Sequence, residues 1–173
     1  KMPDNWKWLK RLDFYIIKKF LGTYVFAIAL ITMGGQGSPL PLNLMMLRSK
    51  SKRLKTLGRV CIGPTFFNIS EPLMYGAPVI FNPLLMVPMW INAVIGPVIV
   101  WVVMRMGLLH IPSISMNVGQ IPAPISTVLV TQDIRGVLWF FVLLAVYGVI
   151  WYPFYKVWEK EEVEKEALEE KAA

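Results

Sequence analysis

Glu71 is the residue whose type and setting most invite chemistry. It is the single acidic residue between Asp13 and Asp133, in a stretch dominated by apolar side chains. If those surroundings are a bilayer, an ionised carboxylate at mid-depth costs roughly 2.5 to 3.5 kcal/mol on insertion scales, so it must face a cavity or a partner rather than lipid. Its neighbours, Asn68-Ile69-Ser70-Glu71-Pro72, gather donors and acceptors at a chain break. A carboxylate accepts charge-assisted hydrogen bonds from hydroxyls, and an Asn amide both gives and takes, so the pair suits an uncharged polyhydroxylated ligand such as a sugar. The competing reading leaves Glu71 at an interface, snorkelling or paired with Arg59. Upstream, Gly34-Gly35-Gln36-Gly37 permits close backbone approach, either between helices or to a ligand, which adds Gly35 and Gly37 to the candidate binding residues.

Other chemistries find little support. No Gly-Lys-Ser/Thr follows the glycines, so a phosphate loop is excluded. His110 and Cys61 each stand alone, so neither a metal site nor a nucleophilic triad can be built on them, and Cys61 reads as a small buried residue. No metal, cofactor or catalytic constellation is expected. Net charge is +7, yet Lys156–Ala173 carries four Lys and seven Glu, leaving +10 on the rest. That excess collects in the opening residues (Lys1, Lys7, Lys10, Arg11, Lys18, Lys19) and between Arg48 and Arg59, as cytoplasmic flanks of membrane segments do, and argues for topology rather than nucleic-acid binding.

The elements that must position Glu71 belong to a membrane protein. With 55% hydrophobic residues and 17% charged, at a mean hydropathy of +0.52, the chain has too little polar surface for a soluble globule. Gly136–Tyr155 is uncharged throughout, and about twenty apolar residues at 1.5 Å each cross a hydrocarbon core of roughly 30 Å. A second uncharged run, Pro72–Met104, is interrupted by Pro78, Pro83, Pro88 and Pro97. Broken backbone at that depth must face protein or a water-filled cavity. We therefore expect an all-α integral membrane fold: a few transmembrane helices with a proline-broken re-entrant hairpin, in a truncated transporter domain.

In detail, residues 1–33 hold an amphiphilic interfacial segment and a first apolar helix. Residues 34–155 form the transporter portion, with a basic loop at 48–59, the hairpin at about 60–78, and spans at about 81–104 and 136–155. An external connection rich in Pro, Gly, Ser and Asn joins those spans. Trp139, Trp151, Tyr152 and Tyr155 read as interface anchors. Residues 156–173 form a charged helical tail, a plain solubilising extension with i,i+4 pairs such as Glu161 with Lys165. The basic loop and the tail both fall on the cytoplasmic side.

From Gly34 onward the sequence resembles the lactose/cellobiose/chitobiose group of phosphotransferase-system enzyme IIC permeases. The matching pieces are GGQGSPLPLNLMML with RSKSKRLKTLGR, PTFFNISEPLMYGAPVIFNPLLMVP, IPAPISTVLVTQDIRG and a closing helix ending WYPFYKVWEK. The resemblance implies a permease of the bacterial inner membrane, homodimeric at full length, that binds a disaccharide while a soluble IIB partner phosphorylates it, supplied by IIA and the phosphocarrier protein. It places Glu71 as the family's sugar-binding carboxylate in a re-entrant hairpin, with Asn68 beside it. It implies membrane lipids as surroundings and no nucleic acid. Two departures stand out. Gly119 occupies the place where the family usually has a Trp, and the family's earlier spans, with the dimer interface and a sugar-contacting His, are missing. Lys1 ahead of Met2 likewise reads as a fragment.

The opening KRLDFYIIKKFLGTYVFAIALI resembles instead the start of a lipopolysaccharide-export permease of the LptF/LptG type, over residues 8–32. Both flanks of the uncharged stretch 20–47 are basic, which conflicts with a single crossing and would follow if two segments were joined near Thr32 to Gly34. That implies a chimera. The competing functions are a structural subunit of such an export permease, or a fragment without function.

Overall fold

A computed structural model describes residues 32–77, 79–109 and 121–172. Among them are six helices and no strand: α1 (Leu40–Met46), α2 (Lys52–Phe66), α3 (Glu71–Gly76), α4 (Pro83–Arg105), α5 (Ala123–Thr131) and α6 (Arg135–Ala172). The all-helical expectation holds. The opening segment 1–31, with its amphiphilic start, and His110 and Gly119 lie outside the described residues.

Local sequence explains where each helix begins. Proline stands in the first turn of α1, α3, α4 and α5, where its missing N–H has no intrahelical partner to lose and its fixed φ already suits the helix. Asn82 caps α4 by accepting the Leu84 N–H at 3.0 Å, and Ser51 caps α2 by accepting the Leu54 N–H at 3.1 Å, each satisfying an otherwise orphaned donor. At the other end of α2, Pro64 sits in the last turn and Asn68 takes φ +60°. Asn is among the few residues that adopt the left-handed conformation at small cost, and it ends the helix here.

Three sequence expectations change. The basic loop 48–59 is non-helical only as far as Ser51; from Lys52 it forms the first turns of α2. The connection after α4 contains α5. Pro88 and Pro97 do not interrupt the second uncharged run, since α4 continues through both; the break lies earlier, between the end of α3 at Gly76 and the start of α4 at Pro83. The segment expected as a hairpin is thus the end of α2, a turn at 67–70 and α3, the two helices packing on each other.

Helix α6 is the wall on which α1, α4 and α5 pack. Its 38 residues run about 57 Å at 1.5 Å per residue. Phe140, Leu143, Tyr147, Trp151, Tyr155 and Trp158 are all buried, at the three- and four-residue spacing that lines one helix face. The opposite face is apolar too: Leu138, Phe141 and Val149 are exposed. A helix apolar all round belongs in lipid or among other helices. Helices α4 and α6 are each long and apolar enough to cross a membrane.

Trp151 and Tyr155 are not interface anchors. Trp151 is fully buried and donates its indole N–H to the Ser38 carbonyl at 3.1 Å. The Tyr155 hydroxyl, whose single proton is shared with the nearer Glu159 Oε1 at 2.9 Å, lies 3.2 Å from the Met45 carbonyl. Each ties α6 to one end of the glycine turn and α1. Trp151→Ala is therefore expected to destabilise the fold by about 3 to 5 kcal/mol, measurable as a lowered unfolding midpoint in detergent, whereas Trp90→Ala, on an exposed side chain, should shift that midpoint far less.

Candidate functional site

Two loops build the surroundings of Glu71. The first is the glycine turn: Gly34, Gly35, Gly37 and Ser38 all have positive φ, and the Leu40 N–H closes the turn on the Met33 carbonyl at 3.1 Å. The second is the α2–α3 turn. Asn68 joins them by accepting the Gly34 N–H on Oδ1 at 2.9 Å. Its amide donates to the Ile121 carbonyl at 3.3 Å, which brings in the segment leading to α5. Beneath the turn, Asn43 donates to Thr65 Oγ1 at 3.0 Å with both residues buried.

The glycines have a packing reason. A Cβ on Gly35 would lie 2.5 Å from Ser70 Cβ, and one on Gly37 would collide with Met89 Cγ. Of the two readings open for these glycines, approach to a ligand or approach to protein, the contacts found are with the α2–α3 turn and α4. Asn68 likewise commits its carboxamide to protein partners. The carboxylate differs. Glu71 opens α3 just before Pro72, is exposed, and has no hydrogen bond or ion pair among the described residues. The alternative pairing with Arg59 is not formed.

A second carboxylate cluster was not legible as a site. Glu159, near the end of α6, is 6% exposed. Its Oε1 accepts from Ser49 Oγ at 2.8 Å, the Lys50 N–H at 2.9 Å and the Tyr155 hydroxyl at 2.9 Å. Its Oε2 pairs with Lys156 Nζ at 2.9 Å. Burial raises the carboxyl pKa, but the Lys156 ammonium, the Lys50 N–H and the two hydroxyls outweigh it and hold the group down to about 2.

One turn pair further on, Glu166 accepts from Ser51 Oγ at 2.7 Å and from the Arg53 and Lys52 N–H groups at 2.7 and 3.1 Å. Lys52 also pairs with Glu170 at 3.0 Å. Helix α2 begins Lys-Arg-Leu-Lys with no acid in its first turn, so its own cations oppose the positive end of its dipole. Glu166 supplies the missing negative charge and two missing acceptors. The tail is therefore no plain solubilising extension: it clamps the start of α2. Within the tail the pair formed is Lys165 with Glu162 at 2.7 Å, not with Glu161. The signal available in the sequence was the run of Ser and Lys at 49–52 facing a Glu-rich segment of matching length, which no local pattern can register because the partners are over a hundred residues apart.

Asn68→Gly keeps the left-handed backbone accessible while leaving the Gly34 N–H without an acceptor, and should cost about 1 to 3 kcal/mol, read as a lower unfolding midpoint in detergent. For Glu159 the folded pKa lies below the ordinary value of 4.5, so its contribution is full above that value and lost as the pH falls toward about 2. Stability of the native chain should decline across that window, and Glu159→Gln should be less stable at neutral pH with a flatter acid limb in the same titration.

Comparison with known proteins places this arrangement. The family described as "Phosphotransferase system, EIIC" matches residues 10–93. The lichenan permease IIC component of Bacillus subtilis (strain 168) is 33% identical over 138 residues, covering 79% of this chain and 30% of that protein. The cellobiose-specific EIIC component of Geobacillus stearothermophilus is 37% identical over 142 residues, covering 79% of this chain and 31% of that one. In structure the chain is similar to the crystal structure of the transporter ChbC, the IIC component from the N,N'-diacetylchitobiose-specific phosphotransferase system, with TM-score 0.76 and 33% identity over 84% of this chain and 33% of that chain. The chain thus spans about a third of the length of the relatives it matches. The family match starts at residue 10 and crosses Thr32–Gly34, so the expected LptF/LptG-like opening and chimeric joint find no support; aromatic and basic residues flanking an apolar run are common to many membrane helices. This chain, a membrane protein that is helical and without strands among its described residues, belongs to the phosphotransferase system EIIC family.

Proposed function

We propose that the chain is part of a sugar permease in which Glu71 binds a β-linked disaccharide, which the complete protein carries across the bacterial inner membrane for phosphorylation by a soluble IIB partner fed by IIA. The observation that supports this most is the state of the carboxylate. Glu71 is fixed at the start of a proline-initiated helix, in a fold whose long helices suit a membrane, with no bonded partner among the described residues. Sugar hydroxyls supply the donors it lacks, and each charge-assisted bond is stronger than a neutral one. Asn68, Gly35 and Gly37 serve the same site by shaping and holding the loop that carries it.

The clamp supports a topology as well. It holds the basic residues from Arg48 to Arg59 at the same end as the tail. The preference of Lys and Arg for the cytoplasmic side then puts both that segment and the C-terminus inside, with the α2–α3 turn entering the membrane from that side as a re-entrant hairpin. We assign the homodimer to the full-length protein. The chain's own role is to bind and reorient sugar; the phosphoryl transfer belongs to IIB.

Replacing Glu71 with Gln keeps its size and removes the charge. Cellobiose binding, followed by calorimetry on the purified protein in detergent, should weaken at least about tenfold, since hydrogen bonds to charged groups contribute roughly 1.5 to 3 kcal/mol. Unchanged affinity would remove Glu71 from the site, and failure of the unsubstituted chain to bind any disaccharide would favour a fragment without transport function.

A further inference from the structure

We propose that the cleft between α1 and α6 holds one anionic phospholipid, its phosphate between Arg48 and Lys156 and an acyl chain along Leu44 and Leu144. The cleft has a volume of about 340 Å³ and its walls include Pro41, Leu44, Arg48, Leu144, Tyr152 and Lys156. Both walls change character in the same direction. Ser38 bonds Trp151, Met45 bonds Tyr155 and Ser49 bonds Glu159, so α1 and its following turn run alongside α6 with residue numbers rising together. On one wall Pro41 and Leu44 lead to Arg48; on the other Leu144 leads to Tyr152 and Lys156. From Leu144 to Lys156 is about 18 Å of helix at 1.5 Å per residue, the order of length of a headgroup and the upper part of an acyl chain. The charged end coincides with the end of the apolar run of α6 and with Tyr152, whose ring is exposed, as expected where a span meets the headgroups.

The charges at that end favour an anion. Glu159 also lines the cleft, but its oxygens are taken up by the four donors of the clamp. Lys156 uses one of its three donors on Glu159, remains half exposed, and lies 5.9 Å from the ring centroids of both Tyr152 and Tyr155. Arg48 is exposed and has no side-chain bond or ion pair among the described residues. Two cations with unused donors, lining the same cleft as the apolar Pro41, Leu44 and Leu144, match a phosphate on a hydrocarbon tail better than a free phosphate or an uncharged lipid.

Native mass spectrometry of the purified chain in detergent, with added phosphatidylglycerol or phosphatidylcholine, tests this. Phosphatidylglycerol should be retained in preference to phosphatidylcholine and resist millimolar inorganic phosphate. Arg48→Gln should weaken its retention about fivefold, the factor expected for roughly 1 kcal/mol per cation at an anionic surface, with Arg48→Lys restoring most of it. Leu44→Trp, which fills the apolar part without touching a charge, should weaken it as well. Equal retention of the two lipids, displacement by inorganic phosphate, or full retention by both Arg48→Gln and Leu44→Trp with unchanged circular dichroism would overturn the proposal.

Discussion

A carboxylate among apolar helices must find hydrogen-bond donors, and the two outstanding acids of this chain meet that demand in opposite ways. Glu159 is buried and finds four donors within the protein. Glu71 finds none among the described residues and is exposed. The first becomes a structural rivet, because removing any donor would leave a buried charge short of partners. The second remains open to whatever brings hydroxyls to it.

Helix α2 connects the two. Its start is held by Ser51, Glu166 and Glu170, and its end leads through Asn68 to Glu71. Over 15 residues that is a rod of about 22 Å, with one end fixed to α6 and the other to the glycine turn through Asn68 and Gly34. The glycine turn is itself tied to α6 by Trp151. The position of Glu71 is thus set by two attachments to the same long helix, one through side-chain carboxylates and one through backbone groups. Such a frame lets the Glu71 carboxylate stay in place without bonded partners of its own among the described residues.

Sequence reasoning recovered what depends on local order. Apolar runs located α4 and α6, and the polar cluster Asn68–Pro72 marked a chain break where the α2–α3 turn lies. What it missed depends on distance along the chain. The basic segment 48–59 reads as a loop because its Lys and Arg suggest solvent, while the Ser51 cap and the distant carboxylates of Glu166 and Glu170 together favour a helix start there. Trp151 and Tyr155 read as interface residues because aromatic rings near a span end commonly are, yet their polar tips reach carbonyls of Ser38 and Met45. The glycines pointed correctly to close approach without saying to what. The opening residues resembled a different family on a pattern too generic to discriminate, whereas the family match runs across residues 10–93.

The most direct measurement is a structure of the protein with a β-linked disaccharide bound. A Glu71 carboxylate oxygen should lie about 2.5 to 3.0 Å from a sugar hydroxyl, with Asn68 still bonded to Gly34. A sugar held elsewhere, with Glu71 turned to lipid or to an internal cation, would contradict the account.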